Sequence, residues 1–280
     1  MKQQGLKASL IGALAIVPMI VAPAAWGLDE SSEGKVLAST DHVTATRTAD
    51  GWVHYEFASQ FNGAVRTEHK GQKLDGECLF SGGRTVKNDG LISIEREIAN
   101  NIQDCILVTE TFSLTPEEFE DYEAGRHRGG DTREEEAVDG GRAGRVAAAA
   151  RASKSAWHKT RYNDFVSLTL AESKTNVNWV YSGGCVTSSS NHTTNYFWMG
   201  ATGWGVDSTS TTSGRVCAYA TTTSNSTMSN SFFCAFNKTT VKFTPNRLRG
   251  NANGTHTPTW TTSKAGGCTD MITFESITGA

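Results

Sequence analysis

Six cysteines, Cys78, Cys105, Cys185, Cys217, Cys234 and Cys268, constrain this chain more than any other feature, because no two of them are closer than 17 residues. Thiolate zinc sites draw on close pairs such as C-x-x-C, so this spacing argues against a structural metal and for cross-links between distant segments. The N-terminus says which compartment those thiols meet. Lys2 and Lys7 precede an apolar run from Ala8 to Trp26, followed by Asp29 and Glu30, which is the layout of a secretory signal peptide. Pro18 and Pro23 interrupt the run and no basic stop-transfer cluster follows, so residues 1–27 are expected to be cleaved, after Ala24 or after Gly27, rather than kept as an anchor. No cysteine lies near either point, which argues against a lipid anchor. A secreted, extracellular chain with three disulfides and no membrane segment after cleavage is the expectation.

Charge divides the rest of the chain. Residues 28–150 hold 13 Lys/Arg and 24 Asp/Glu, whereas residues 151–280 hold 11 and 5. This asymmetry points to two units: a small acidic β unit over 28–124 and a disulfide-stapled domain over 156–280. Between them, residues 125–155 are rich in Gly, Ala, Arg and Glu with almost no large apolar residue, and read as a flexible linker with a short helix at Val146–Ala152. If each half closes on itself, Cys78 pairs with Cys105. A hairpin turning at Asn225 and Ser226 would then set Cys217 opposite Cys234, leaving Cys185 to Cys268.

Local patterns are mostly strand. Val43–Thr48 and Trp52–Phe57 are separated by Ala49, Asp50 and Gly51, and Arg84–Lys87 is separated by Asp89-Gly90 from Leu91–Ile98, where Ile92, Ile94, Arg96 and Ile98 share one face. One helix is expected at Pro116–Ala124, with Thr115 as N-cap, Pro116 at the first position and Glu118 completing a capping box. Phe165–Leu170 and Thr175–Tyr181 read as strands, with further strands near 195–199, 215–221, 231–236, 239–243, 257–262 and 270–275. Thirty-five of the residues 181–280 are Ser or Thr, expected at solvent-facing strand positions. The fold class is therefore mainly β: an antiparallel sandwich or barrel in the C-terminal half and a smaller hairpin-rich unit with one short helix in the N-terminal half.

Motifs that enforce a mechanism are missing: the sequence contains no G-x-S-x-G elbow, H-E-x-x-H, Walker loop, dinucleotide fingerprint or EF-hand loop, and no cofactor or metal site is indicated. A hydrolase without a local motif would need His158, His192 or His256 beside a Ser, with Asp164 or Asp207 orienting the ring. His158 reads instead as an exposed residue at the linker exit. Paired carboxylates for glycoside hydrolysis are unsupported, because Glu117, Glu118, Glu120 and Asp121 form a solvated helix face and Glu134–Glu136 belong to the linker. Aromatic residues offer a binding candidate: Tyr196 and Trp198 on one side of a strand, with Trp204 close behind, could stack on sugars or a polymer surface; the alternative is a core cluster with Trp179 and Trp260. Sequons at Asn191, Asn225, Asn237 and Asn253 match chance frequency in so Ser/Thr-rich a segment. The basic excess of the second half is too mild and dispersed to argue for nucleic acid, although an anionic surface polymer suits it.

Asn178-Trp179, Gly184-Cys185, Gly203-Trp204, Phe233-Cys234, Asn253-Gly254, Trp260 and Gly266-Gly267-Cys268, with Glu95–Ile98, Cys105 and Val108–Glu110, form a pattern that resembles secreted, disulfide-containing proteins of filamentous actinobacteria. The resemblance covers about half of the chain and rests on cysteine and packing residues. It implies an exported protein and carries over no catalytic residue. The expected function is a non-catalytic extracellular binding or interaction module for a cell-surface or extracellular polymer or carbohydrate. Two alternatives stand beside it: an extracellular hydrolase with a motif-free site, and a proprotein whose acidic half is cut from the C-terminal domain.

Overall fold

A computed structural model describes residues 34–87, 89–124, 151–197, 203–235 and 237–280. Residues 1–33, with the signal peptide expected at 1–27, residues 125–150 with most of the helix expected at 146–152, and Trp198 lie outside them. The first half runs β1 (Lys35–Ser39), β2 (Val43–Arg47), β3 (Val53–Phe57), β4 (Val65–Lys70), β5 (Gln72–Leu74), β6 (Glu77–Gly83), β7 (Ile92–Asn101), β8 (Ile106–Leu114) and α1 (Pro116–Ala124). The second runs β9 (Ala152–Asp164), β10 (Thr169–Ser182), β11 (Cys185–Phe197), β12 (Trp204–Val216), β13 (Tyr219–Cys234), β14 (Asn237–Asn251), β15 (His256–Gly266), a 3-10 turn at Thr269–Met271, and β16 (Ile272–Gly279). Because β9 opens at Ala152, residues 152–155 are strand and not linker.

All strand pairings are antiparallel, in two sheets that are not closed into a barrel. The first sheet runs β1-β2-β3-β7-β16-β9-β10-β11 and branches at β7, whose other edge carries β8 and then β4. β7 is long enough to pair with β16 through Ser93–Arg96 and with β3 through Ala99 and Asn100 on the same edge. The second sheet runs β12-β13-β14-β15-β6-β5. Each sheet thus joins strands from both sides of residues 125–150, meeting at β7–β16 in the first and at β6–β15 in the second, and the expected division into two separate β units is replaced by one shared framework.

The charge asymmetry that suggested two units is complementarity within that framework. Glu97 of β7 meets Lys264 of β15 at 2.9 Å, with both side chains buried. Glu77 of β6 meets Lys242 of β14 at 2.7 Å, and Glu123 of α1 lies 2.7 Å from both Lys159 and Arg161 of β9. Glu95 also accepts a hydrogen bond from Trp260 Nε1 at 3.2 Å.

The sheets pack face to face over an interior that alternates in kind along the strands. One apolar cluster gathers Phe80, Leu107, Tyr162, Ala171, Met228, Phe243, Trp260 and Phe274. A second holds Ala156, Val177, Trp179, Ala220 and Leu248. Between them, in register, β9 supplies His158 and Thr160, β10 Ser173 and Thr175, β13 Thr222, Ser224 and Ser226, and β14 Asn246, all buried. The belt is cross-linked: Ser173 Oγ lies 3.2 Å from Ser224 Oγ, Ser226 donates to Asn195 Oδ1 at 2.7 Å, and Asn246 Nδ2 donates to the Ser173 carbonyl at 2.6 Å. Many hydroxyls expected to face solvent therefore face inward. His158, expected exposed, is fully buried and 3.0 Å from Ser276 Oγ.

Cys78 pairs with Cys105 as expected. The other bridges are Cys185–Cys217 and Cys234–Cys268, in place of the expected Cys217–Cys234 and Cys185–Cys268. The reason is that Asn225 and Ser226 are no turn. They lie in the middle of the unbroken strand Tyr219–Cys234, so Cys217 and Cys234 sit at its opposite ends, roughly 50 Å apart at the rise of an extended chain. Cys78–Cys105 ties β6 of the second sheet to the β7–β8 turn of the first. Cys185–Cys217 likewise joins the start of β11 to the β12–β13 turn. Close backbone approach explains Gly250, where a Cβ would stand 2.5 Å from the Trp179 ring.

Candidate functional site

On the face of the first sheet turned away from the second, the β2–β3 hairpin, β7, β8 and β4 leave an open cleft of about 1230 Å³. Period-two alternation along β3 positions one wall: Val53 and Tyr55 are buried in a small core with Val43 and Ala45, so His54 and Glu56 point the other way, with Trp52 stacked on His54 at a centroid distance of 6.0 Å. The opposite wall is the β3–β4 connection, residues 58–64, which brings Gln60, Phe61 and Asn62 to the rim.

Arg96 fixes that connection. Its side chain is 2% exposed; Nε donates to Glu110 Oε1 at 2.5 Å, Nη1 to Ser59 Oγ at 3.2 Å and Nη2 to the Ser59 carbonyl at 2.6 Å. The guanidinium lies 4.0 Å from the Phe57 ring centre, and Phe61 stacks on Phe112 at 3.9 Å. Arg96 and Glu110 therefore neutralise and satisfy each other, and act as a brace for the cleft rather than as a charged pair offered to a ligand. The exposed side chains His42, His54, Gln60, Asn62 and Arg66 supply hydrogen-bonding groups beside the Trp52, Phe57 and Phe61 rings.

The aromatic residues singled out from the sequence stand elsewhere. Tyr196 and Trp204 are buried, and Trp204 belongs to the main core cluster against Phe233, so neither ring presents a face to solvent. Trp198 lies outside the described residues. The cleft residues had a readable signal. Trp52, His54 and Glu56 alternate with Val53, Tyr55 and Phe57, and Arg96 interrupts a face of isoleucines.

Among the described residues no hydrogen bond joins His158, His192 or His256 to Asp164 or Asp207, and Ser276, 3.0 Å from His158 Nε2, is itself buried. His158 and His256 are sealed in the interior, and burial pushes their imidazoles down to about 3 and about 4. Asp207 is exposed and pairs with Lys238 at 3.1 Å. Asp164 holds the β9–β10 turn, where its Oδ1 accepts from the Val166 and Leu168 amides at 3.0 and 2.8 Å; burial raises its carboxyl to about 6 despite those bonds. Among the described residues, no cluster of three or more His, Cys, Asp or Glu could hold a metal ion, and no helix is long and apolar enough to cross a membrane. Comparison with protein-family models, curated proteins and solved structures finds no match.

Proposed function

We infer that the protein is an extracellular, non-catalytic binding module whose cleft takes a carbohydrate chain of a cell-surface or extracellular polymer. The observation that carries this reading is the composition of the cleft: aromatic rings and exposed hydrogen-bonding side chains line one open groove. A sugar presents a C–H face and a hydroxyl rim, and binds where apolar ring surface adjoins polar groups held in place. Three disulfides and the leader-like N-terminus support the oxidising compartment in which such a module works.

The test is retention on a panel of insoluble neutral and acidic polysaccharides, comparing the wild type with Trp52→Ala/His54→Ala, which removes a half-buried ring and an exposed imidazole without touching the Arg96 brace. Retention of the wild type on at least one neutral polymer and a tenfold or greater loss in the double variant is expected. No retention on any polymer, or equal retention of both proteins, would refute the cleft as the binding site.

A further inference from the structure

The outward face of the second sheet carries a different surface. Along β14 the outward positions include Arg247 and Arg249. Arg247 pairs across the sheet with Thr223 of β13 and Thr259 of β15, and Arg249 with Thr221 and Thr257. Further rows continue the pattern, with Thr212 opposite Thr223 and Ser81 opposite Thr261, whose hydroxyls are 2.8 Å apart. Two neighbouring arginines thus stand in a field of hydroxyls, about 7 Å apart along the strand.

Neither arginine is neutralised. Among the described residues no carboxylate pairs with either one; Glu77 and Asp207 pair with Lys242 and Lys238, farther along β14. Arg247 makes one hydrogen bond, from Nε to Thr223 Oγ1 at 3.2 Å. Arg249 lies over the Tyr219 ring at 5.0 Å, and its Nε is shielded from solvent without an acceptor. A guanidinium held by an aromatic face, with donors to spare, is preorganised for a planar two-oxygen acceptor. The flanking threonines offer donors and acceptors that match sugar hydroxyls. The chain as a whole carries a net charge of −3, which disfavours a densely charged polymer such as duplex nucleic acid but tolerates a chain with at most one charge per sugar.

We propose that this face docks a carboxylated polysaccharide, with its carboxylates on Arg247 and Arg249 and its hydroxyls on the threonine rows of β13 and β15. The site lies on the opposite sheet from the cleft and does not depend on the reading given for it. The experiment is titration of the full chain with soluble polygalacturonate, with dextran, inorganic polyphosphate and duplex DNA as comparison probes at equal salt. Binding to polygalacturonate but not to dextran is expected, weakened at least tenfold in Arg247→Gln/Arg249→Gln and only partly weakened in Arg247→Lys/Arg249→Lys. Failure of the wild type to bind polygalacturonate, or an unaffected Arg247→Gln/Arg249→Gln variant, would overturn the proposal. So would polyphosphate or DNA binding as tight as polygalacturonate, which would make the face a general polyanion surface.

Discussion

Asp164 is a residue whose native environment works against its charge. Burial in the β9–β10 turn raises its carboxyl from 3.8 to about 6, so the folded state holds a proton that the unfolded state has released. The molecule therefore loses stability from this group as pH rises from about 4 to 6, and the loss is complete at neutrality. Both turn amides bond to the same oxygen, Oδ1, which an asparagine retains. Asp164→Asn should accordingly be more stable than the wild type at pH 7 by on the order of 1 kcal/mol, allowing for the partial exposure of the group, and equal to it at pH 4. Urea unfolding at the two pH values checks this, and a variant less stable at pH 7 would refute it. His158 and His256 act in the opposite sense. Their depressed imidazoles leave the fold intact above about pH 6.5 and destabilise it as pH falls toward 4 and 3.

At the scale of elements, α1 depends on one carboxylate. None of its residues is buried, and it rests on the first sheet through Phe119, Tyr122 and Glu123. Burial would raise the Glu123 carboxyl, but Arg161 and Lys159 more than reverse this and hold it at about 2. Its contribution is thus complete above about pH 4.5 and is lost as pH falls toward 2. Glu123→Gln leaves Arg161 paired with Glu275 at 2.7 Å and Lys159 with Glu172 at 3.7 Å, and should cost about 1 kcal/mol at neutral pH. It should also remove part of the acid sensitivity below pH 4.5 and speed amide exchange across 116–124; unchanged exchange would show that the aromatic contacts suffice. The helix itself was legible in the sequence, because a capping box is local: the Thr115 amide donates to Glu118 Oε2 at 2.8 Å and the Glu118 amide to Thr115 Oγ1 at 3.3 Å. So was β7, whose isoleucines repeat every second residue. β12 and β13 were not, because their inward positions include Thr209, Thr222, Ser224 and Ser226, and a strand with hydroxyls on both faces has no hydrophobic period to read. The same blindness turned the middle of β13 into a turn and misdirected two disulfides. The cleft was half legible: β3 shows its alternation, but the wall opposite is fixed by Arg96 reaching Ser59, a contact 37 residues apart in sequence.

For the whole molecule, the two halves are parts of one sandwich, held together without a sulfur link. Each disulfide closes within residues 34–124 or within residues 151–280, while the sheets and the buried acid–base pairs cross between them. Removal of the acidic half would strip β7 from β16 and β6 from β15 and uncover Trp260 and Phe274, which argues against its release as a dispensable pro-segment. Residues 34–124 and 151–280, produced as two chains and oxidatively refolded together, should co-elute as one complex, whereas each alone should aggregate. A cooperative thermal transition from either chain by itself would contradict this. The hydroxyl and amide belt across the interior has a thermal consequence of its own. Unfolding would wet many polar groups along with the hydrocarbon, and their hydration lowers heat capacity while that of apolar surface raises it. The free energy of unfolding should therefore change with temperature along a shallow curve, and the protein should hold its stability over a wider range of warmth and cold than its size alone would lead one to expect.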